Sequence, residues 1–420
     1  MSETFEFYQQ QAKSSVASLP WLAKLKSAAL IDFKRLGFPT RRDEEWKYTS
    51  VDTFTQQQFN VAPVGDVVEN PKRIVLDSFK VSVNIVNGKI AVSTQNLPTG
   101  VIVQSLAQAW VEHADKIKPY LNQILKHEHG FQALNTAMLD CGVFILLPEG
   151  VSLSEPLVLA HWNDNLQQAT YLRHVVVAEK GSCATIIEDY DGEGAYAVNT
   201  ITEVYTAQDA KVTHFKIQRE SKLAYHMGHT AVKQQANSQF DSHLFSLGGK
   251  LVRSDLTISL DESHARCFMN GIYAPSHGQH MDHHTRVLHA VPDCSSVQDY
   301  KGILSGQSRA VFNGKVVVAK DAQHTSAAQQ NKNLLLSLEA EIDTKPQLEI
   351  FANDVICTHG ATVGQLDEEA LFYLATRGIE HEEACQYLIQ AFTIENLRVI
   401  AEPELAACIN TLLMQQIGRV

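Results

Sequence analysis

The constraint that governs this chain is a repeat. From Cys141 to about residue 361 the sequence consists of short apolar stretches broken by two or three polar residues, with few of the two-residue hairpin signals that antiparallel sheets need. Four segments, VVVAEKGSCATIIEDY (175–190), EVYTAQDAKVTHFKI (203–217), LTISLDESHARCFMNGI (256–272) and VVVAKDAQHTSAAQQ (316–330), share one form: strand, polar turn, strand. Aligning their turns brings Ala178, Thr206 and Leu260 into register at intervals of 28 and 54 residues, near one and two copies of a common period. A unit of that length cannot bury its apolar face alone, so it must stack on its neighbours as a solenoid does. A β-sandwich is the competing architecture. The shortness of the strands and the scarcity of hairpin signals after Gly88 favour a mainly β fold: a parallel β-helix core with α-helical N-terminal and C-terminal domains.

Three regions follow: 1–140, mostly helical with a few strands; 141–361, the β-helix; and 362–420, a small helical bundle. Glu3 to Leu36 has apolar residues near helical spacing, with Pro20 suited to the first turn of a second helix and a stop at Gly37-Phe38-Pro39. Thr40-Arg41-Arg42-Asp43-Glu44-Glu45-Trp46-Lys47-Tyr48 mixes both charges with two aromatics, so it either packs against another surface with its charges wet or opens a solvated helix. Arg73 to Ile90 reads as strands closed by a hairpin at Asn87-Gly88, and Ser105 to Leu139 as helix broken at Pro119. Past residue 362, Asp367, Glu380 and Glu402 open three acidic-start helices, and Gly378 ends the first. The end rungs of a solenoid expose unpaired backbone, and these helical ends are expected to cover them.

Charge and targeting signals narrow the function. The 420 residues carry a net charge of −12, the wrong sign for displacing counterions from nucleic-acid phosphates. No apolar run of about 18 residues occurs, and MSETFEFYQQQ lacks a basic start and an apolar core, so no membrane span or secretory signal is expected and the compartment is read as cytoplasmic. The seven cysteines (141, 183, 267, 294, 357, 385 and 408) form no CxxC pair. Cys141, Cys183, Cys267 and Cys408 are expected to be small buried apolar residues.

Among residues that can carry chemistry, His277, His280, His283, His284 and His289 are close in sequence but fit no closed metal-ligand set. On a strand, His277, His283 and His289 share one face, and His280 and His284 the other. The stretch from Asn313 alternates short strands with turn-forming Asn313-Gly314, Lys320-Asp321 and Asn353-Asp354 pairs. Within it, Cys357 and His359 stand two residues apart, so both side chains leave one face of an extended segment. An imidazole can take a thiol proton or bind iron, and a thiolate suits iron-sulfur species. Two ligands cannot hold a cluster, so such a site would need a second chain. No GxxxxGK[ST] loop or GxSxG elbow is present, so neither ATP hydrolysis nor that esterase chemistry is expected. A rival reading is a β-helical polysaccharide lyase or hydrolase using Asp255, Asp261 and Asp282.

Three separated motifs, FPTRRDEEWKYT, NGKVVVAKDAQHTSAAQQNKNLL and PQLEIFANDVICTHGATVGQLDEEALFYLATRGI, resemble the SufB/SufD family of the SUF iron-sulfur cluster assembly machine, over about Phe38 to Phe392. The resemblance implies a β-helical core, a non-catalytic role, a SufB-like paralogue and a SufC-like ATPase as partners, and a homodimer when isolated. It places His359, with Cys357 beside it, at the junction of the two paralogues as a shared iron ligand. It places docking of the ATPase on the helix carrying Leu371, Phe372 and Tyr373, which otherwise read as the bundle's own core. It gives Gln279-His280-Met281-Asp282 a rung-to-rung hydrogen-bonding role. It implies no cofactor held stably by this chain alone, a transient iron-sulfur cluster at the partner interface, and reduced flavin in the full complex, although no flavin fingerprint occurs here. Where the SufB branch is expected to carry an essential cysteine the chain has Glu339-Ala340-Glu341, a departure that favours the SufD branch. His324 and Ser326 replace a lysine and an aspartate frequent in relatives, so no charged role is carried onto them.

Overall fold

A computed structural model describes residues 3–15, 17, 19–61, 79–94, 97–164 and 167–418. At its centre is a parallel β-solenoid of eight turns, each giving one strand to each of two facing sheets. One sheet runs from Cys141–Leu147 to Glu341–Ile350, the other from Leu157–Asn163 to Val355–Gly364. Ala178 pairs with Thr206, Thr206 with Gln234 and Gln234 with Leu260, so the column inferred from the turns is real, in steps of 28, 28 and 26 residues. The turns repeat because each carries one residue in the left-handed region: Gly181, Asp209, Asn237, His264, Asp293 and His324. Glycine and short polar side chains tolerate that conformation best. The amides of Gly181, Asp209 and Asn237 donate to carbonyls of the next turn, at Gln208, Ala236 and Ser263, which locks the stack along one corner.

Asn313-Gly314 is not a turn. It lies inside the strand Arg309–Val318, where a Cβ on residue 314 would stand 1.9 Å from the side-chain nitrogen of Gln329. Close packing across the lumen, not a reversal of the chain, requires the glycine there. Most of the lumen is apolar. Its early turns, however, also enclose His161, His174, Glu188, His214, Lys216 and His226, all buried.

Helices Glu3–Ser14, Pro20–Leu36 and Gly130–Ala137 lie on the outer face of the first sheet. Phe5, Tyr8, Phe33, Phe38, Phe54 and Phe131 form the aromatic contact. Pro20 opens its helix, as its fixed φ allows. Asn87-Gly88 joins the antiparallel strands Val81–Val86 and Lys89–Val92, while residues 73–78 of the strand expected from Arg73 lie outside the described residues. That hairpin and the antiparallel strand Ile102–Ser105 close the first end of the solenoid.

The far end is not closed in the expected way. Helices Glu368–Thr376, His381–Arg398 and Pro403–Ile417 form where their acidic starts indicate, with the Asp367 carboxylate accepting from the amides of Glu369 and Ala370. The second and third lie along the outer face of the second sheet rather than over its last strand, burying Phe215, Phe245, Ile272 and Ile303 under Ile389, Leu397, Ile409 and Leu413. Lys301 donates to the Phe392 carbonyl, and Asn396 donates to Asn270, which fixes the second helix in place. The physical reason is that an apolar sheet face has no alternative to burial, whereas an edge strand can hydrogen-bond to water or to another chain.

Candidate functional site

The open end is the last turn. Val355–Gly364 pairs with Thr325–Leu335 on one side, and among the described residues its other edge has no partner strand. Cys357 and His359 stand in register with Ala327 and Gln329, both buried toward the lumen, so the two share the inner face, as their spacing implies. Cys357 is half-buried against Ala327, Val318 and Ala352. Burial pushes its thiol above the usual range. His359 is exposed and makes no hydrogen bond or ion pair among the described residues. On the opposite face Ile356 is 74% exposed; Val363, further along the strand on the face of His359, and Phe351 and Leu338 in the flanking loops are exposed as well. An unpaired edge carrying apolar side chains is a ready surface for another polypeptide.

The three residues on the first C-terminal helix separate. Leu371 is core, packed with Ala384 and Cys385, whereas Phe372 is 73% and Tyr373 56% exposed. The Arg377 guanidinium lies over the Tyr373 ring. Of the four cysteines expected to be buried, Cys267 is, and Cys141, Cys183 and Cys408 are half-buried.

The five close-set histidines do not converge. His283 and His289 point into the lumen from the strand His280–His289, while His280 and His284 point outward and His277 sits in the preceding turn rather than on the strand. The outward pair belongs to a polar node beneath the TRRDEEWKY segment. Arg253 donates to Asp255, Asp282 and the Glu45 carbonyl and stacks on the Trp46 ring. Thr49 bonds Asp282 and sits 2.9 Å from His280 Nε2, and His284 bridges Asp282 and Glu45. Thus the aromatic, charged segment packs with Trp46 buried and does not open a solvated helix. The Gln279–Asp282 stretch does bond from rung to rung: Gln279 donates to the Gly249 carbonyl, and Asp282 accepts from Arg253.

Burial alone would raise the Asp255 and Asp282 carboxyls. Arg253 outweighs it and holds both well below the usual carboxylate range. Neither is a proton donor at neutral pH, and Asp261 pairs with Lys233, so no acid and base pair of a glycosidase is formed by these three. Arg253→Met is expected to leave the buried Asp255 and Asp282 carboxylates without their guanidinium and to destabilise the protein by about 3–5 kcal/mol, read as a lowered urea midpoint at constant m-value.

One cluster escaped the sequence reading. His161, His174 and Glu188, from three successive strands, bring one donor atom each to within 4.8 Å of one another in the lumen. Their spacing, close to half of the 28-residue period, is the signal that could have found them.

Comparison with known proteins agrees with this architecture. Residues 161–392 match the model of the SUF system FeS cluster assembly SufBD core domain, and residues 2–159 that of the SufBD protein N-terminal region. The chain belongs to the SufBD family of iron-sulfur cluster assembly proteins. It is 31% identical over 371 residues to the iron-sulfur cluster assembly protein SufD of Escherichia coli K12, covering 86% of this chain and 85% of that protein. A SufBD family protein of Synechocystis is 30% identical over 379 residues, covering 86% of this chain and 84% of its own. The chloroplastic protein ABCI7 of Arabidopsis thaliana is 28% identical over 400 residues, 91% of this chain and 83% of that one. Among the described residues no helix is long and apolar enough to cross a membrane.

Proposed function

We propose that the chain is a cytoplasmic, non-catalytic subunit of a SUF complex that pairs through its open end with a SufB-like paralogue and recruits a SufC-like ATPase through its C-terminal helices. His359 then supplies one ligand, with Cys357 beside it, to an iron-sulfur cluster forming transiently at the seam. The observation that carries this reading is the uncovered last strand, which places an unpartnered imidazole on an edge suited to a second sheet. A cluster needs about four ligands, and this strand offers two, so the rest must come from the partner. The cluster is cargo, no cofactor is held stably by this chain alone, and reduced flavin belongs to the full complex. Without its partners the same edge pairs with a second copy. Phe372 and Tyr373 are the exposed aromatics available to the ATPase, whose nucleotide-driven closure would strain the paired solenoids and open the seam.

Co-expression with the paralogue and the ATPase tests this with two exposed, fold-neutral changes. Ile356→Lys with Val363→Lys is expected to reduce recovery of the paralogue at least about tenfold while the ATPase is kept, since buried unpaired charge costs several kcal/mol at an interface. Phe372→Ala with Tyr373→Ala is expected to do the reverse. Full recovery of both partners by both variants would remove the proposed surfaces, and recovery of the chain alone with sugar-cleaving activity would restore the lyase reading.

A further inference from the structure

We propose that the solenoid lumen holds a divalent first-row transition-metal ion between the imidazoles of His161 and His174 and the carboxylate of Glu188. The three residues lie on the strands Leu157–Asn163, Gln168–Ala178 and Cys183–Gly192, so the site spans both sheets in the first turns, far along the stack from the open end. It does not depend on the assembly role argued above.

The first observation is hydrogen-bond accounting. All three side chains are buried, and among the described residues none of the four ring nitrogens of His161 and His174 has a hydrogen-bond partner. Each unpaired buried polar group costs about 1–3 kcal/mol, so two wholly unpaired imidazoles side by side call for an occupant. The rings are nevertheless held. His161 stacks on Tyr190 with centroids 4.1 Å apart, and His174 meets His161 edge-on at 5.2 Å.

The second observation is the orientation of the carboxylate. Tyr190 donates to Glu188 Oε2 at 2.6 Å, Thr202 donates to Oε1 at 2.6 Å, and His214 Nε2 lies 2.9 Å from Oε1. A carboxylate oxygen has two acceptor positions, so Oε2 keeps one free. Partners of this kind fix a metal ligand's orientation. Burial lowers the His174 ring to about 4 and the His161 ring well below its usual value, so both offer neutral lone pairs at neutral pH. Burial works to raise Glu188, but His214 and the Lys216 ammonium overcome it and hold the carboxyl down.

Two imidazoles and one carboxylate suit Fe²⁺, Zn²⁺, Mn²⁺ or Co²⁺; Ca²⁺ and Mg²⁺ prefer all-oxygen sets and Cu⁺ prefers sulfur. Metal-ligand bonds of about 2.0–2.2 Å would draw the three donor atoms together by roughly 1 Å, within reach of small side-chain rotations. The Lys216 ammonium, near the Tyr190 ring, opposes a cation; the Glu188 and Glu220 carboxylates favour one.

Co²⁺ reports on such a site directly. The full chain, expressed with Co²⁺ and freed of surface metal by a chelator, is expected to retain one equivalent with the strong visible bands of a four- or five-coordinate nitrogen and oxygen site. His174→Gln and His161→Asn should each reduce retention at least about tenfold and abolish the rise in Tm that the ion gives the parent, while His359→Ala should retain it in full. Should a variant fail to fold, the parent spectrum still decides: weak bands of a hexa-aqua type, no retained cobalt, or equal retention in folded His174→Gln overturns the site and leaves water as the occupant of the lumen.

Discussion

Acidifying the chelator-treated protein from pH 7 to pH 4.5 is expected to unfold it cooperatively, with uptake of at least three to four protons per chain. Burial pushes the rings of His229, His243 and His289 down to about 4 and that of His283 to about 3. In the unfolded chain each returns to about 6.5. Between those values the unfolded chain binds more protons than the folded one, so stability is present in full above pH 6.5 and is lost as pH falls toward 4. Near pH 5 these four rings alone put about 3.5 extra protons on the unfolded chain, a slope of roughly 5 kcal/mol per pH unit, and the metal-free rings of His174 and His161, also lowered by burial, steepen it. Two units of such a slope rival the ~5–15 kcal/mol net stability of ordinary domains. Glu203, raised by burial, offsets part of this at the lower end of the window. Asp255 and Asp282, held down by Arg253, add a separate loss only below about pH 4, where the unfolded carboxyls protonate. Urea midpoints at pH 7, 6 and 5 measure the slope, and a flat profile would show that these rings are not carried neutral into the fold.

The chain's plan is legible where local and long-range demands coincide. The 28-residue period is visible because every turn needs a residue tolerant of positive φ, and the polar residues that supply it punctuate the apolar strands at fixed steps. Asn313-Gly314 misleads because its turn preference is local, whereas the glycine answers the Gln329 side chain across the lumen. The C-terminal helices can be read from their acidic starts, but their seat cannot: it depends on which solenoid surface is most apolar, and the outer face bearing Phe215 and Phe245 is more costly to leave wet than an edge. Histidines 280 to 289 look like a cluster because they are near in sequence, yet alternation on a strand sends them to opposite faces. Residues near half a period apart face one another across a two-sheet lumen, which is why His161, His174 and Glu188 meet without any familiar ligand spacing.

Replacing His359 by alanine is expected to leave the isolated protein folded and its Tm unchanged, while cluster formation on the complex with the paralogue and the ATPase falls by at least about tenfold, the lower end of what losing even a supporting partner of a metal ligand costs. The stability half of this follows from exposure: the ring has no partner to lose, and surface changes of that kind stay within about 0.5 kcal/mol. The activity half follows from ligand number. A thiol and an imidazole on one edge cannot complete an iron site, so with the proposed pairing, removing the exposed donor would leave the shared site one ligand short. Cys357→Ala should cost the assembly less than His359→Ala does. Its sulfur is half-buried against Ala327 and its thiol is pushed up by burial, so it is the less available of the two donors and its loss should also lower Tm slightly. His359→Cys separates coordination from simple contact, because a thiolate can replace an imidazole at iron where glutamine cannot. Partial recovery by His359→Cys, with none by His359→Gln, marks a ligand; parental assembly by His359→Ala in an intact complex would make the last strand a joint between subunits and nothing more.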